Sequence, residues 1–172
     1  MPKPLIILGS HRRAGHTRQL LDALFANQPV PAIDLLEHEI APYAYSGTYP
    51  ATDAFLPLIA QLLAHEHLVM ATPVYWYAMS GRLKNFFDRL TELVTTRKAL
   101  GRQLRGKTLH LVAVGADAAL PTGFTVPFAS TAAYFDMTFG SVLYASSQAA
   151  TFPAATPEIF HQFREAVGYH PI

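Results

Sequence analysis

The chain contains the stretch Leu5-Ile6-Ile7-Leu8-Gly9-Ser10-His11-Arg12-Arg13-Ala14-Gly15-His16-Thr17. Its first four residues are a continuous apolar run, which is typical of a central parallel strand covered on both faces. A helix pattern follows from about Thr17, and Pro29 stops that helix because proline cannot continue one. The stretch therefore predicts a buried strand that leads through a polar, glycine-containing loop into a helix.

The same alternation of apolar run and helical segment continues along the chain. Further strands are predicted at residues 32–36, 67–71, 108–114 and 138–144, and the third strand is expected to end at Thr72-Pro73. Helices are predicted around residues 58–63, from Pro127 and from Pro157. The clearest helical spacing is the stripe Leu83, Phe86, Phe87, Leu90 and Val94. This pattern predicts one α/β domain over residues 1–172, with a five-stranded parallel sheet and helices on both faces.

Composition excludes several classes of protein. The 172 residues are 51% hydrophobic, which excludes disorder as the main state, and 13 Lys+Arg against 12 Asp+Glu leave a net charge of +1. Nucleic-acid binders are usually strongly basic, so no nucleic-acid partner is expected. With no cysteine, disulfides, iron–sulfur clusters and cysteine-based zinc sites are ruled out. No apolar run is long enough for a signal peptide or a membrane helix, so we expect a cytoplasmic protein without a membrane partner.

The loop after the first strand has the features of a phosphate cradle. Backbone N–H groups at a helix start carry partial positive charge, Ser10 and Thr17 add hydroxyl donors, and Arg12 adds a charged fork. Five residues separate Gly9 from Gly15, and His16 stands where a Walker A loop has lysine, so a nucleotide triphosphatase is disfavoured. The dinucleotide fingerprint is also absent. A single phosphate fits this loop best, and an ordinary polar turn is the alternative.

The loop after the third strand carries consecutive aromatic residues. It contains Pro73, Val74, Tyr75, Trp76 and Tyr77, with Ser80 placed to cap the next helix. Aromatic faces stack on planar ring systems, so this loop suits a flat ligand. Packing of the same rings into the core or into a subunit contact is the alternative.

These two segments resemble the NAD(P)H-dependent FMN reductase and quinone reductase family, whose members share the flavodoxin-like fold. The resemblance rests on Gly9-Ser10-x-Arg12-x-x-Gly15-x-Thr17 and on Thr72-Pro73-Val74-Tyr75-Trp76-Tyr77-x-Met79-Ser80-Gly81-x-Leu83-Lys84-x-Phe86-x-Asp88-Arg89. It implies a three-layer sandwich with the parallel strands in the order 2-1-3-4-5. It also implies non-covalent FMN as cofactor and NAD(P)H as co-substrate.

The resemblance assigns a role to each loop. Ser10, Arg12, Gly15 and Thr17 would hold the FMN phosphate, with His16 where relatives often have asparagine. Residues 73–77 would line the flavin ring. Gly115 and Ala116, after the fourth strand, would form a wall of the pocket, with Gly115 allowing close approach of the backbone.

The expected function is therefore that of an oxidoreductase, passing electrons from NAD(P)H through FMN to a quinone, a free flavin or another small acceptor. A flavodoxin-type electron carrier and a non-catalytic domain of the same fold are the alternatives. No catalytic side chain is assigned, although Tyr75 or Tyr77 could donate a proton to a quinone. We expect a homodimer or homotetramer, in which the tyrosine-rich loop at residues 43–49 takes part. No metal site is expected, and His65-Glu66-His67 is interpreted as a solvated turn.

Overall fold

The computed structural model describes residues 3–25, 28–149, 152 and 156–169. Its strands are β1 (Leu5–Leu8), β2 (Ala32–Asp34), β3 (His67–Tyr75), β4 (Ala78–Met79), β5 (Thr108–Gly115) and β6 (Thr138–Ser146). All strands except β4 run parallel, in the order β2-β1-β3-β5-β6, which confirms the predicted order. The sixth strand, β4, was not predicted, and it pairs antiparallel with the end of β3.

Helices cover both faces of this sheet. They are α1 (His16–Leu24), α2 (Phe55–Leu63), α3 (Gly81–Arg89), α4 (Lys98–Gly101), α5 (Val126–Tyr134) and α6 (Pro157–Ala166). Alternate residues of each central strand point to opposite faces. Leu5 and Ile7 therefore pack with α2, α3 and α5, whereas Ile6 and Leu8 pack with α1 and α6. Within the described residues, no helix is both long and apolar enough to cross a membrane.

Strand β3 continues four residues beyond its predicted end at Ala71. Pro73 lies inside this strand and pairs in register with Val114 of β5. The carbonyl of Ala71 accepts from the Gly9 N–H on the β1 side, so the nitrogen of Pro73, two residues on, faces the same side, where β1 has already ended. Proline costs no ladder hydrogen bond there, and the prediction that Thr72-Pro73 stops the strand is wrong.

Strand β2 is shorter than predicted, because its last residue starts a 3₁₀ turn. The Asp34 carboxylate accepts from the Leu36 backbone N–H at 2.9 Å and caps the turn Leu35–Glu37. Strand β6, in contrast, runs two residues past the predicted end, to Ser146. Both changes lie at the carboxyl edge of the sheet, where they shape the loops described below.

The apolar stripe predicted for the third helix extends past the helix itself. Helix α3 ends at Arg89, and a 3₁₀ turn covers Leu90–Leu93. Val94 falls beyond both elements. Arg89 and Glu92, which are charged and were not predicted to be buried, lie inside the protein on this side.

Arg89 is the centre of a buried ion-pair network. Its guanidinium donates to both carboxylate oxygens of Asp53, at 2.7 and 3.0 Å, to the Ala41 carbonyl at 2.8 Å, and to Glu92. The Tyr49 ring lies over the guanidinium, 3.5 Å from its carbon. Burial opposes ionisation of Asp53, but the hydrogen bonds from Arg89 and from backbone N–H groups outweigh it, so the pKa of Asp53 is lowered. The network fastens residues 41–53 to α3.

Asp53 also accepts from the Phe55 N–H at 3.1 Å at the start of α2. The residue immediately before α2 is Ala54, which cannot cap with its side chain. Asp53 supplies this hydrogen bond instead, from one residue further out.

Candidate functional site

The loops that follow β1, β3 and β5 meet at the carboxyl edge of the sheet around one cleft of about 460 Å³. We call it the phosphate-loop cleft. Its lining comprises Ser10, Arg12, Ala14, Gly15, His16, Thr17, Gln19, Pro73, Val74, Tyr75, Val114, Gly115, Ala116 and Ser147. A crevice at this edge, beside the strand at which the order reverses, is where open α/β sheets bind ligands.

The floor of the cleft is the start of α1. The helix begins after Gly15, and the backbone N–H groups of His16, Thr17 and Arg18 find no acceptor among the described residues. The first turn of α1 carries no acidic residue. Unpaired N–H groups and the helix dipole favour an anion at this position.

Two hydroxyl residues stand beside those N–H groups. Ser10 and Thr17 are both buried. The Ser10 hydroxyl accepts from the Arg12 N–H and donates to the Arg12 carbonyl, each at 3.1 Å, which holds the loop in a tight turn. In the described part of the chain, no group forms a hydrogen bond with the Thr17 hydroxyl, which leaves it free to donate to a ligand.

The three arginines of this region differ in their partners. Arg13 pairs with Glu37 at 3.0 Å, and Arg18 pairs with Asp22 at 3.0 Å. Arg12 has no ion-pair partner among the described residues, and it is the arginine that lines the cleft. A guanidinium fork at a helix N-terminus suits a phosphate.

His16 is exposed at the mouth of the cleft. Its ring lies 4.9 Å from that of Phe152, measured between centroids. This contact places an aromatic wall beside the start of α1, and nothing in the sequence pattern of either residue indicated it.

The first and third strand ends are joined directly. Ser80 accepts from the Leu83 N–H at 3.1 Å, which confirms its predicted role as the cap of α3. The same hydroxyl donates to the Gly9 carbonyl. A Cβ on Gly9 would lie 2.6 Å from the Leu83 Cβ, so only glycine allows α3 to approach the phosphate loop this closely.

Trp76 and Tyr77 form the turn of a hairpin between β3 and β4. Both have positive φ angles, 48° and 64°, and the register pairs Tyr75 with Ala78 across them. Positive φ at both central residues is the type I′ pattern, which favours Asn-Gly, so two aromatic residues here are strained. Their side chains are 93% and 69% exposed. The turn therefore holds two large rings in solvent at a cost in stability.

The third loop is anchored by β6. The Tyr144 hydroxyl donates to the Asp117 carbonyl at 2.7 Å, and the Ser147 N–H donates to the Gly115 carbonyl at 2.7 Å. Burial, with the Asp117 charge, raises the pKa of Tyr144. A Cβ on Gly115 would lie 2.8 Å from the Tyr144 hydroxyl oxygen, so internal packing already requires glycine at this position.

The predicted site residues come together with two exceptions. Trp76 and Tyr77 project from the hairpin and do not line the cleft, whereas the other ten do. Four lining residues were not predicted: Ala14, Gln19, Val114 and Ser147. Ser147 had no sequence signal, because only the extra length of β6 carries it to this edge.

Of the expected solvated turn His65-Glu66-His67, at the opposite edge of the sheet, Glu66 is exposed as predicted, but His67 is half-buried as the first residue of β3. His67 Nδ1 lies 3.1 Å from His110 Nε2, and His110 is buried. Burial and the neighbouring His67 lower the pKa of His110 to about 4. Across the described residues, no three His, Asp or Glu side chains group as a metal ion would require.

Comparison with known proteins gives a family match over most of the chain. The family model described as NADPH-dependent FMN reductase matches residues 2–151. A Bacillus subtilis protein named as an NAD(P)H-dependent FMN-containing oxidoreductase, YwqN, is 30% identical over 122 residues, covering 67% of each chain. An FMN-dependent NADPH-azoreductase from Staphylococcus haemolyticus is 32% identical over 108 residues, covering 58% of this chain and 57% of that protein.

Solved structures have the same fold. The structure titled as the Trp repressor binding protein from Bacillus subtilis aligns with a TM-score of 0.68 at 24% identity, covering 96% of each chain. A flavodoxin from Megasphaera elsdenii aligns with a TM-score of 0.56 at 10% identity, covering 95% of this chain and 98% of its own. These likenesses confirm the expected flavodoxin-like fold.

Proposed function

The chain belongs to the NADPH-dependent FMN reductase family, and on that premise we propose that its phosphate-loop cleft holds FMN non-covalently. The family match confirms the resemblance inferred from the two loops. The chain is an enzyme, an FMN-dependent NAD(P)H oxidoreductase that reduces small molecules. The observation that supports the location of its cofactor is the convergence of three strand-end loops on one cleft.

The phosphate end of the cofactor is proposed to lie at the start of α1. Gly15 and His16 would contribute backbone there, and the hydroxyls of Ser10 and Thr17 would donate to the phosphate. Arg12 would neutralise its charge, since the guanidinium of Arg12 has no other anionic partner in the described part of the chain. The donor set of this loop fits a phosphate monoester, because it combines neutral donors with one cation and no acid.

The ring end is proposed to lie against the backbone of the other two loops. Pro73, Val74 and Tyr75 line one side of the cleft, and Gly115 and Ala116 line another. Trp76 and Tyr77, which stand outside the cleft, are proposed to cover the ring from the hairpin turn.

Bound FMN supplies the redox chemistry, accepting reducing equivalents from NAD(P)H and passing them to the acceptor. The chain's own residues hold the cofactor and shape the approach to it. The Tyr144 phenol has a raised pKa and donates to Asp117, so it stays protonated and supports the loop. Of the two tyrosines considered as proton donors, Tyr75 lines the cleft, and we assign that role to it.

The acceptor is proposed to be a planar aromatic molecule, such as a quinone, a free flavin or an azo compound. The relative from Staphylococcus haemolyticus is named as an azoreductase. Exposed aromatic rings beside the cleft favour flat acceptors, because such rings stack on them.

A homodimer or homotetramer is proposed as the working form. Trp76, Tyr77 and Tyr45 are exposed, and charged residues make up only 15% of the chain. Large exposed aromatic side chains are common at subunit contacts. Gel filtration with light scattering would show a dimer mass or larger, and a monomer at micromolar concentration would contradict this part of the proposal.

We further infer that residues 1–172 work as one flavin-binding domain in the cytoplasm. The described strands belong to one connected sheet, which supports a single domain. An enzyme that draws electrons from NAD(P)H needs a steady supply of that nucleotide, which supports the location.

The decisive experiment is an absorbance titration of the FMN-loaded protein without oxygen. NADPH or NADH should bleach the flavin band near stoichiometrically, and a quinone or an azo dye should restore it. If neither nucleotide bleaches the band although dithionite does, the protein is an electron carrier of the flavodoxin type. A protein that takes up no added FMN would instead support the non-catalytic alternative.

A further inference from the structure

We propose that Thr72 and Ser80 are positioning residues for the cofactor, which hold two loops of the site at a fixed spacing. The first is the phosphate loop, residues 9–17, and the second is the ring loop, residues 73–77. This inference rests on the proposed function, since it concerns how the same FMN is held. One FMN molecule has to reach both loops, so the distance between them decides whether its phosphate and its ring can bind together.

The two loops are separated by a change of partner along β3. Strand β1 ends its pairing with β3 at Ala71, whose carbonyl accepts from the Gly9 N–H at 2.8 Å. Farther along β3, the hairpin strand β4 pairs through Val74, whose partner is Met79. Strand β5 occupies the other side of β3 up to Pro73, so β4 takes the side that β1 has left. The link between the end of β1 and the hairpin is made by side chains.

The Thr72 hydroxyl extends the hairpin by one pair. The register of the hairpin, continued by one residue, sets Ser80 opposite Pro73, which has no N–H to donate. The Thr72 hydroxyl stands between these two residues. It accepts from the Ser80 N–H at 3.0 Å and donates to the Pro73 carbonyl at 2.9 Å. Because a trans peptide is planar, fixing this carbonyl also fixes the Val74 N–H, and both residues of this peptide line the phosphate-loop cleft.

The Ser80 hydroxyl continues this link to the phosphate loop. It donates to the Gly9 carbonyl and accepts from the Leu83 N–H at the start of α3. The Gly9 carbonyl belongs to the peptide that precedes Ser10, which lines the cleft. The hydroxyls of Thr72 and Ser80 therefore connect a peptide of the phosphate loop to a peptide of the ring loop through three hydrogen bonds in series. We call this series the hydroxyl bridge.

The hydroxyl bridge is buried and internally satisfied. Thr72 and Ser80 are both fully buried, and each hydroxyl donates one hydrogen bond and accepts another. Burying a hydroxyl costs desolvation, and an apolar side chain of similar size would fill the same space without that cost. A polar network whose groups are all paired makes the segments that it joins rigid. What the two hydroxyls add to the packing is therefore the spacing of the two loops.

The affinities of two flavins separate this role from a general loss of stability. FMN spans both loops, whereas riboflavin has no phosphate and does not depend on their spacing. Thr72→Val keeps the shape of the side chain and removes its hydroxyl. We expect it to weaken FMN binding about 10- to 100-fold, as the loss of a charged hydrogen bond to the phosphate would, and riboflavin binding by less than about threefold. Quenching of flavin fluorescence would measure both dissociation constants. A variant that merely loosened the fold would weaken both flavins by the same factor.

Further variants test the hydroxyl bridge itself. Thr72→Ser keeps the hydroxyl and should hold FMN affinity within about threefold of the wild type. Ser80→Ala should reproduce the effect of Thr72→Val, and it serves if Thr72→Val does not fold. The double variant should be no weaker than the weaker single variant, because the two hydroxyls act in one series. Thr156→Ala is the matched control, since Thr156 caps α6 as Ser80 caps α3, and it should leave both flavin affinities unchanged.

Two outcomes overturn the inference. Thr72→Val weakens FMN and riboflavin by the same factor, or Thr72→Val and Ser80→Ala behave as Thr156→Ala does. In either case NADPH can still bleach the flavin of the wild type, and the proposed function then stands without the hydroxyl bridge. If neither NADPH nor NADH bleaches the FMN-loaded wild type, the proposed function fails, whatever the two flavin affinities show for the hydroxyl bridge.

Discussion

His110 donates through Nε2 to His67 Nδ1 across 3.1 Å, and its own Nδ1 accepts the Ser141 backbone N–H at 3.0 Å. The second bond fixes this assignment, because a nitrogen that accepts from a backbone N–H carries no proton itself. The bond from Ser141 to His110 lies where β6 shifts its register against β5, between Leu109 and Leu111. A Cβ on Gly140 would lie 2.6 Å from the His110 ring. The neutral His110 ring on β5 therefore forms hydrogen bonds with both neighbouring strands, with β6 through Ser141 and with the start of β3 through His67.

The first prediction is a loss of stability in mild acid. The pKa of His110 falls from its ordinary 6.5 to about 4 on folding, so below about pH 6.5 the unfolded chain binds a proton that the folded chain refuses. The free energy of unfolding should decrease as pH falls from 6.5 towards 4, by up to about 3 kcal/mol, and be unaffected by this group above pH 7.5. Urea titrations across this pH range would measure the change in the free energy of unfolding.

His110→Asn should flatten the dependence of this free energy on pH, whereas the same change at the exposed His161 should not. Equal slopes in all three proteins would contradict the prediction.

The second prediction concerns the buried network around Arg89. Arg89→Met would leave Asp53 and Glu92 inside the protein without their cation, and we expect a loss of about 3–5 kcal/mol in unfolding free energy. Arg105→Met is the matched control, since its pair with Asp136 is exposed and such pairs contribute about 0–1 kcal/mol. Chemical denaturation of both variants would give the difference. A loss below 1 kcal/mol for Arg89→Met would show that the network adds nothing to stability.

The third prediction separates two glycines. Gly9→Ala places a methyl 2.6 Å from the Leu83 Cβ, so α3 must move away from the phosphate loop, at a cost of about 1–3 kcal/mol. FMN affinity should fall as well, because the Ser80 bond to Gly9 is disturbed. Gly81→Ala, in the first turn of α3, meets no atom within 4 Å and should stabilise the protein by about 0.4–1 kcal/mol. Thermal melts with and without FMN would test both changes.

The fourth prediction is that the aromatic hairpin turn trades stability for function. Trp76→Asn combined with Tyr77→Gly would install the residues that a type I′ turn prefers. We expect the unfolding free energy to rise by about 1–2 kcal/mol as the left-handed strain is relieved, while the KM for quinones rises. Tyr134→Ser removes another exposed ring without touching the turn, and it should change neither quantity much. If the double variant keeps its KM for quinones, the rings have no part in acceptor binding.

The fifth prediction tests the phosphate cradle. Arg12→Gln should weaken FMN binding about 10- to 100-fold, because one charged hydrogen bond to the phosphate is lost. Arg18→Gln should leave FMN affinity within twofold. Quenching of flavin fluorescence on binding would measure both constants. Riboflavin, which has no phosphate, should bind the wild type and Arg12→Gln alike, so a difference between them with riboflavin would exclude the phosphate as the partner of Arg12.

Much of the fold followed from local patterns. Apolar runs such as Leu5–Leu8 indicated strands, and the strand order matched the family resemblance. The errors concentrate at the carboxyl edge. Pro73 inside β3 could not be recognised as harmless, because its tolerance depends on where the neighbouring strand β1 ends. The two extra residues of β6 likewise depend on a neighbour distant in the chain, since they pair with the end of β5.

What the sequence determined by itself was the alternation of elements and the chemistry that each loop carries. A run of adjacent residues sets both, since hydrophobic period and side-chain type are local properties. The tertiary structure decided which of these residues meet. It placed Arg12 in the phosphate-loop cleft but paired Arg13 with Glu37, and it buried Arg89 against Asp53 and brought Ser147 beside Gly115. Burial and ion pairing depend on surfaces that come together only when distant segments pack.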